Sequence, residues 1–271
     1  HCVVGKEAEY HDAMIRMLEL IWGEGYMAPG GPQKTDDLVR GLKLRGKRVL
    51  DIGSGLGGPA CHLAEHHRAQ VTGIDIEPQL VELARQRATL RKLQHRACFL
   101  LVRPGPLPFE DNSFDAIVSA GTFTQIAGKA ELFAECLRVL EPGGVLHNFD
   151  WTTPLAEPSD ELRYFFEMEG LTYALDTPAT YAELLEAAGF TDIRVEDDTD
   201  WYRRQSREEY ESMQADLYPR MVELLGQEHA DHFVEDWRSM VVVFEKGDLT
   251  QTLCRSRKPG TGGRIRRLFA S

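Results

Sequence analysis

Cysteine is scarce and scattered: five in 271 residues (Cys2, Cys61, Cys98, Cys136, Cys254), with no CxxC pair. That excludes a zinc ribbon or a dense disulfide framework and fits reduced thiols in a cytoplasm. Long apolar runs are missing as well; nothing approaches the roughly 20 residues that span a bilayer. Positive charge is in deficit, with 31 Lys and Arg against 43 Asp and Glu and a formal charge of −12. Phosphate repulsion over the surface then goes unopposed, which excludes a general nucleic-acid binder and stable association with an anionic membrane. Internal repeats and low-complexity segments are absent. The chain opens HCVVGKEAEY, with neither an initiating Met nor a signal-type apolar segment, so further N-terminal residues are expected. What is present is apolar content of 42%, enough for the core of a soluble cytoplasmic enzyme.

Along the chain, Glu7–Trp22 carries Tyr10, Met14, Met17, Leu18 and Ile21 on one helical stripe. GEGYMAPGGP (23–32) is a loop, and Thr35–Leu42 is a second predicted helix. Apolar strands are predicted at Arg48–Ile52, 71–76, Cys98–Val102, 114–120 and 143–151, with helices at Pro59–His66, Pro78–Leu93 and Lys129–Leu140, the last stopped by EPGG. Helices at Asp160–Gly170 and Thr180–Ala188 follow, then strands at Phe190–Val195 and Leu249–Ser256. Strands alternating with helices imply an α/β, Rossmann-like, doubly wound parallel sheet. The mostly helical stretch 207–243 exceeds an ordinary connection and is expected to cap the sheet's ligand-binding edge.

DIGSGLGG (51–58) contains GxGxxG through Gly53, Gly55 and Gly58, a motif that by itself also suits a dinucleotide. Asp51 changes the reading. A carboxylate two residues before the first glycine repels a pyrophosphate and suits a cationic group, such as the ammonium of S-adenosylmethionine (SAM). Asp75, closing the next strand, stands where an acid accepts both ribose hydroxyls.

Four blocks, VLDIGSGLGG, VTGIDI, LPFEDNSFDAIVS and LRVLEPGGVL, resemble the class I SAM-dependent methyltransferases over nearly the whole chain. The resemblance implies strand order 3-2-1-4-5-7-6 with an antiparallel last strand, and conversion of SAM to S-adenosylhomocysteine. Expected cofactor residues are Met27, Asp51, Gly53, Ser54, Gly55, Gly57, Asp75, Ile76, Arg103, Pro104 and Ser119. Arg103–Pro104 departs from the family, which places there an acid for the adenine amino group. The organisation is one domain, with an N-terminal lid (1–45), a SAM-binding core (46–202), a helical cap insertion (203–246) and a last strand with a basic tail (247–271).

GEGYMAPGGP, DIGSGLGG and CRSRKP resemble the phosphoethanolamine N-methyltransferase group. That likeness implies an active-site role for Tyr10. It also implies that Gln125 replaces a catalytic His, Gly121 an Asp, and Leu171 an Arg that grips phosphate. An ammonium must shed a proton before it attacks, and Gln125 cannot take it. Either the acceptor needs no deprotonation, or another carboxylate serves. Glu161, Tyr164, Phe165 and Met168 share a helical spacing, near Trp151 and Trp201. This arrangement suits C-methylation of an alkene, with aromatic faces stabilising a carbocation and Glu161 removing the proton. The chemistry resembles that of the geranyl diphosphate C-methyltransferases, with Arg203, Arg204 and Arg207 meeting a diphosphate and any Mg²⁺ it brings. Glu161 also reads as an ordinary first-turn surface acid, and Glu167 and Glu169 are alternatives. No metal is expected on protein ligands; His229 and His232 share a helical face without a third donor. The rivals are N-methylation of phosphoethanolamine or another small amine, a natural-product N- or O-methylase, and a non-catalytic binder.

Overall fold

The computed structural model describes residues 11–261. The first half runs α1 (Asp12–Trp22), α2 (Gly31–Leu38), β1 (Arg48–Ile52), α3 (Gly58–His66), β2 (Gln70–Asp75), α4 (Pro78–Leu90), β3 (Ala97–Leu101) and β4 (Phe114–Ala120). A 3₁₀ turn (Phe123–Gln125) leads to α5 (Lys129–Val139), β5 (Leu140–Thr152), α6 (Asp160–Glu169), α7 (Pro178–Ala188) and β6 (Thr191–Asp197). The cap is α8 (Thr199–Met213), α9 (Tyr218–Leu225) and α10 (Gln227–Lys246), and β7 (Thr250–Arg257) closes the sheet.

The sheet order is 3-2-1-4-5-7-6. The strands β1 to β5 pair in parallel, and β7 runs antiparallel between β5 and β6. Period-2 alternation builds a core on each face. Val49, Val71 and Val118 face α3 and α4 residues such as Leu63 and Ala84. Leu50, Ile74 and Ile117 join Phe133 of α5 and Leu185 of α7. A third cluster, separate from both, joins α1, α6 and the cap around Trp22, Phe165, Tyr202, Trp237 and Phe244, with Trp151 reaching it from the end of β5. The end of β5 is therefore roofed by the apolar faces of these helices. Among the described residues no helix is long and apolar enough to cross a membrane.

Most boundaries shift by one to three residues from the sequence reading, and three differences bear on the site. Helix α2 starts four residues early, at Gly31, because Pro32 presets the first turn, and it ends at Leu38. EPGG does not separate α5 from its strand. It lies inside β5, where the pairing with β4 shifts register between Phe114 and Ala116 and Gly143 takes φ 83°. The cap begins at Thr199, so Trp201 and Tyr202 belong to it.

Candidate active site

Strand β1 delivers Asp51 to the sheet's C-terminal edge, and the chain then turns through Gly53 (φ 73°), Gly55 (φ 51°) and Gly57 (φ 83°) into α3. These are left-handed conformations that glycine adopts without penalty. At Gly53 a Cβ would also run into the Thr122 side chain. Asp75 secures the turn, accepting from the Gly55 amide at 2.9 Å and the Glu77 amide at 3.0 Å. Asp51 is only 2% exposed, and its Oδ2 finds no partner, nor does Ser54 Oγ. Burial and then the Asp75 charge push the Asp51 carboxyl up to about 7. A buried acceptor without a donor, beside a side-chain-free turn, fits the ammonium and carboxylate end of SAM. Asp75 retains lone pairs for a ribose diol, and Ile76, half exposed, offers an apolar face next to it.

The lid loop closes on this turn. The Gly58 amide donates to Gly25 O at 2.9 Å, and Met27 lies over Gly55. Arg87 of α4 holds the loop down, pairing with Glu19 and Glu24 while donating to Leu56 O.

Beside the turn is a cavity walled by Trp22 of α1, Met27, Gly121, Gln125, Asp150 and Trp151 of β5, Glu169 of α6, Leu171 and Tyr173. Asp150 is fixed by Asn148 Nδ2 at 2.7 Å and the Thr124 amide at 3.1 Å. Burial holds its carboxyl at about 7 despite those donors. Glu169 is 8% exposed and accepts from the Tyr173 hydroxyl at 3.5 Å. Behind Glu169 stands Asp236 of α10, with neither carboxylate oxygen partnered. Burial and then the Glu169 charge raise Asp236 well above the carboxylate range. Lys129 is buried outside the wall, where its charge acts on Asp150: its Nζ pairs with Asp176 and donates to Ile126 O and Ala174 O, each at 2.7 Å. Asp150, Asp236 and Lys129 were missed from sequence, because nothing in their spacing shows that they converge.

Asp51, Gly53, Ser54, Gly55, Gly57, Asp75 and Met27 lie together at one turn, and Gln125 and Trp151 line the cavity. Several expectations are corrected. Glu161 sits at the far end of α6, about half exposed, with Lys246 at 2.8 Å lowering its pKa. The buried stripe of α6 is Leu162, Phe165 and Glu169, one position round from the expected face. That rotation turns Tyr164 outward to donate to Glu235 at 2.7 Å. Phe165 packs behind Trp151, and Met168 offers its carbonyl to His232. Ser119 is wholly buried and donates to Ile52 O at 2.8 Å, bracing β1 against β4. Trp201 lies under Lys34 Nζ, outside the cavity wall. Arg203 pairs with Asp200 and Arg207 with Glu245, while Arg204 is exposed, so none of these three is a cavity-wall residue. Arg103 and Pro104 are exposed just beyond β3. Tyr10 lies outside the described residues. Asp36, His62 and His67 meet through one carboxylate oxygen at 2.7 Å from each imidazole, a cluster that the sequence did not suggest.

A family described as "Methyltransferase domain" matches residues 50–147. Phosphoethanolamine N-methyltransferase of Triticum aestivum is 31% identical over 232 residues, 85% of this chain and 45% of that protein. The chain thus spans about half the length of the curated relatives it matches first. The Plasmodium falciparum enzyme of the same name is 30% identical over 72% of this chain and 73% of its own length. Among solved structures, phosphoethanolamine N-methyltransferase 2 of Haemonchus contortus, with phosphomonomethylethanolamine and S-adenosylhomocysteine, superimposes at TM-score 0.86 and 26% identity. The match covers 93% of this chain and 58% of that one. Geranyl diphosphate C-methyltransferase of Streptomyces coelicolor matches at TM-score 0.68 and 13% identity, over 83% and 75%, a likeness of fold alone.

Proposed function

The chain belongs to the class I SAM-dependent methyltransferases, in the phosphoethanolamine N-methyltransferase group, and from that premise we propose that it methylates the nitrogen of a small amine. The observation that carries this reading is Asp150: a carboxylate fixed in the cavity wall beside Gln125, with a pKa of about 7. It supplies the proton acceptor that Gln125 cannot.

SAM, when bound, supplies a methyl group on a sulfonium that already carries its leaving group. The chain's residues do the rest. Asp51, the glycine turn and Asp75 hold the nucleoside end, and the lid loop over Gly55 excludes water. Asp150 takes one proton from the bound ammonium, leaving a neutral amine with a free lone pair. That pair forms the N–C bond as the S–C pair returns to sulfur. C-methylation of a prenyl diphosphate is the weaker reading, because Glu161 and the three arginines that it needs are not cavity-wall residues. Mg²⁺ loses its argument with the diphosphate.

The test is methyl transfer from SAM to a panel of small amines, phosphoethanolamine and geranyl diphosphate, read by mass spectrometry. N-methylated product, lost in Asp150→Asn while SAM still binds, supports the reading. Product from geranyl diphosphate alone overturns it, and absence of SAM binding by calorimetry points to a non-catalytic protein.

A further inference from the structure

The carboxyl and basic side chains in the described cavity wall are all acids. Asp150 and Glu169 lie in its wall, Asp236 backs Glu169, and Glu209 accepts from the indole of Trp22, another wall residue. Among the described wall residues none is Lys or Arg. Lys129, a buried cation whose charge acts on Asp150, is already held by Asp176 and two backbone carbonyls. Leu171 presents an apolar side chain to the same space.

Asp236 keeps its proton against Glu169, so the buried pair carries one negative charge between them, which is costly unless a cation meets it. The remaining wall supplies faces suited to a cation: Trp22, Trp151 and Tyr173. An acceptor carrying phosphate would bring up to two negative charges into this space with no partner for them. We infer that the acceptor is a phosphate-free organic cation, its ammonium held by Glu169, with Asp236 behind it, against Trp22, Trp151 and Tyr173. This deepens the N-methylation reading and rests on it. The cavity then selects by charge, admitting simple or already methylated amines and rejecting their phosphate esters.

Choline and phosphocholine are the probes, titrated calorimetrically into the protein saturated with S-adenosylhomocysteine. Choline is expected to bind saturably and at least about tenfold more tightly than phosphocholine. Glu169→Gln should weaken choline by about tenfold or more, with S-adenosylhomocysteine binding as the check that the fold is intact. Leu171→Arg, which places a cation in the wall, should move the preference toward phosphocholine. Equal or tighter binding of phosphocholine, no saturable choline binding, or an unchanged Glu169→Gln overturns the inference. Turnover assays separate the two levels. Methylation of phosphoethanolamine but not ethanolamine removes charge selection and leaves N-methylation standing; no methylation of any amine removes both.

Discussion

The indole of Trp22 donates to Glu209 at 3.0 Å, and Trp237 donates to the other oxygen of the same carboxylate at 3.0 Å. One buried acid thus ties helix α1 to α8 and α10, behind the Trp22 side chain that lines the cavity. The cap is attached to the core through this junction and the aromatic cluster around Trp151.

Glu209→Gln turns one acceptor into a donor and leaves an indole N–H facing an amide. A loss of about 1–3 kcal/mol of stability is expected, visible as a lower urea midpoint. SAM affinity should change little, since the glycine turn is built by other elements. An unchanged midpoint would show that the junction does not hold the cap.

SAM binding should release protons below about pH 7. The buried Asp51 carboxyl sits at about 7 in the free protein, and an adjacent ammonium lowers it again. Affinity therefore rises with pH up to that point. Calorimetry near pH 6 in buffers of different ionisation enthalpy measures the release directly; no buffer dependence would remove Asp51 from the ammonium site.

The free protein should lose stability as pH rises from about 4 through about 7. Burial raises Asp51, Asp150 and Glu209 to about 7 from 3.8, 3.8 and 4.5. Across that interval the folded chain keeps protons that the unfolded chain has released, so unfolding gains on folding with each step in pH. Glu19, Asp75 and Asp236, also raised by burial, act in the same direction, and His147, lowered by burial, works the other way. The lowered acids Asp36, Asp115, Glu135, Glu161 and Glu235 are already ionised in both states over most of the window. Urea midpoints near pH 5.5 and pH 8 decide it, and a higher midpoint at the upper pH contradicts the assignment.

Glu161→Gln should leave turnover at the wild-type level, because its carboxylate is spent on an exposed pair with Lys246. Loss of activity with intact SAM binding would return Glu161 to the mechanism.

Gly53→Ala should abolish SAM binding. The residue sits at φ 73°, and the added methyl meets Thr122. Retained affinity would mean that the turn can rearrange.

Glu161 and Glu169 show where reading the sequence stops. Both are acids on α6, and the spacing of Tyr164, Phe165 and Met168 marked a face without fixing which way that face would turn. The packing of Leu162 and Phe165 onto the cap set the rotation, bringing the last turn of α6, with Glu169, to the cavity and leaving the first in water. Asp150 was hidden for a related reason. It lies within a strand buried along its second half, and the Thr124 amide that helps hold it comes from the 3₁₀ turn after β4.

The sequence by itself determined the strands, the doubly wound sheet and the glycine turn, because strand periodicity, left-handed glycines and an acid at a fixed offset are local requirements written within a few residues; the strand order followed only from the resemblance to the class I methyltransferases. The tertiary structure decided which carboxyl groups gather at the cavity. Those groups come from β5, α6 and α10, and their burial and raised pKa values exist only once helices distant in the chain have packed over one cavity.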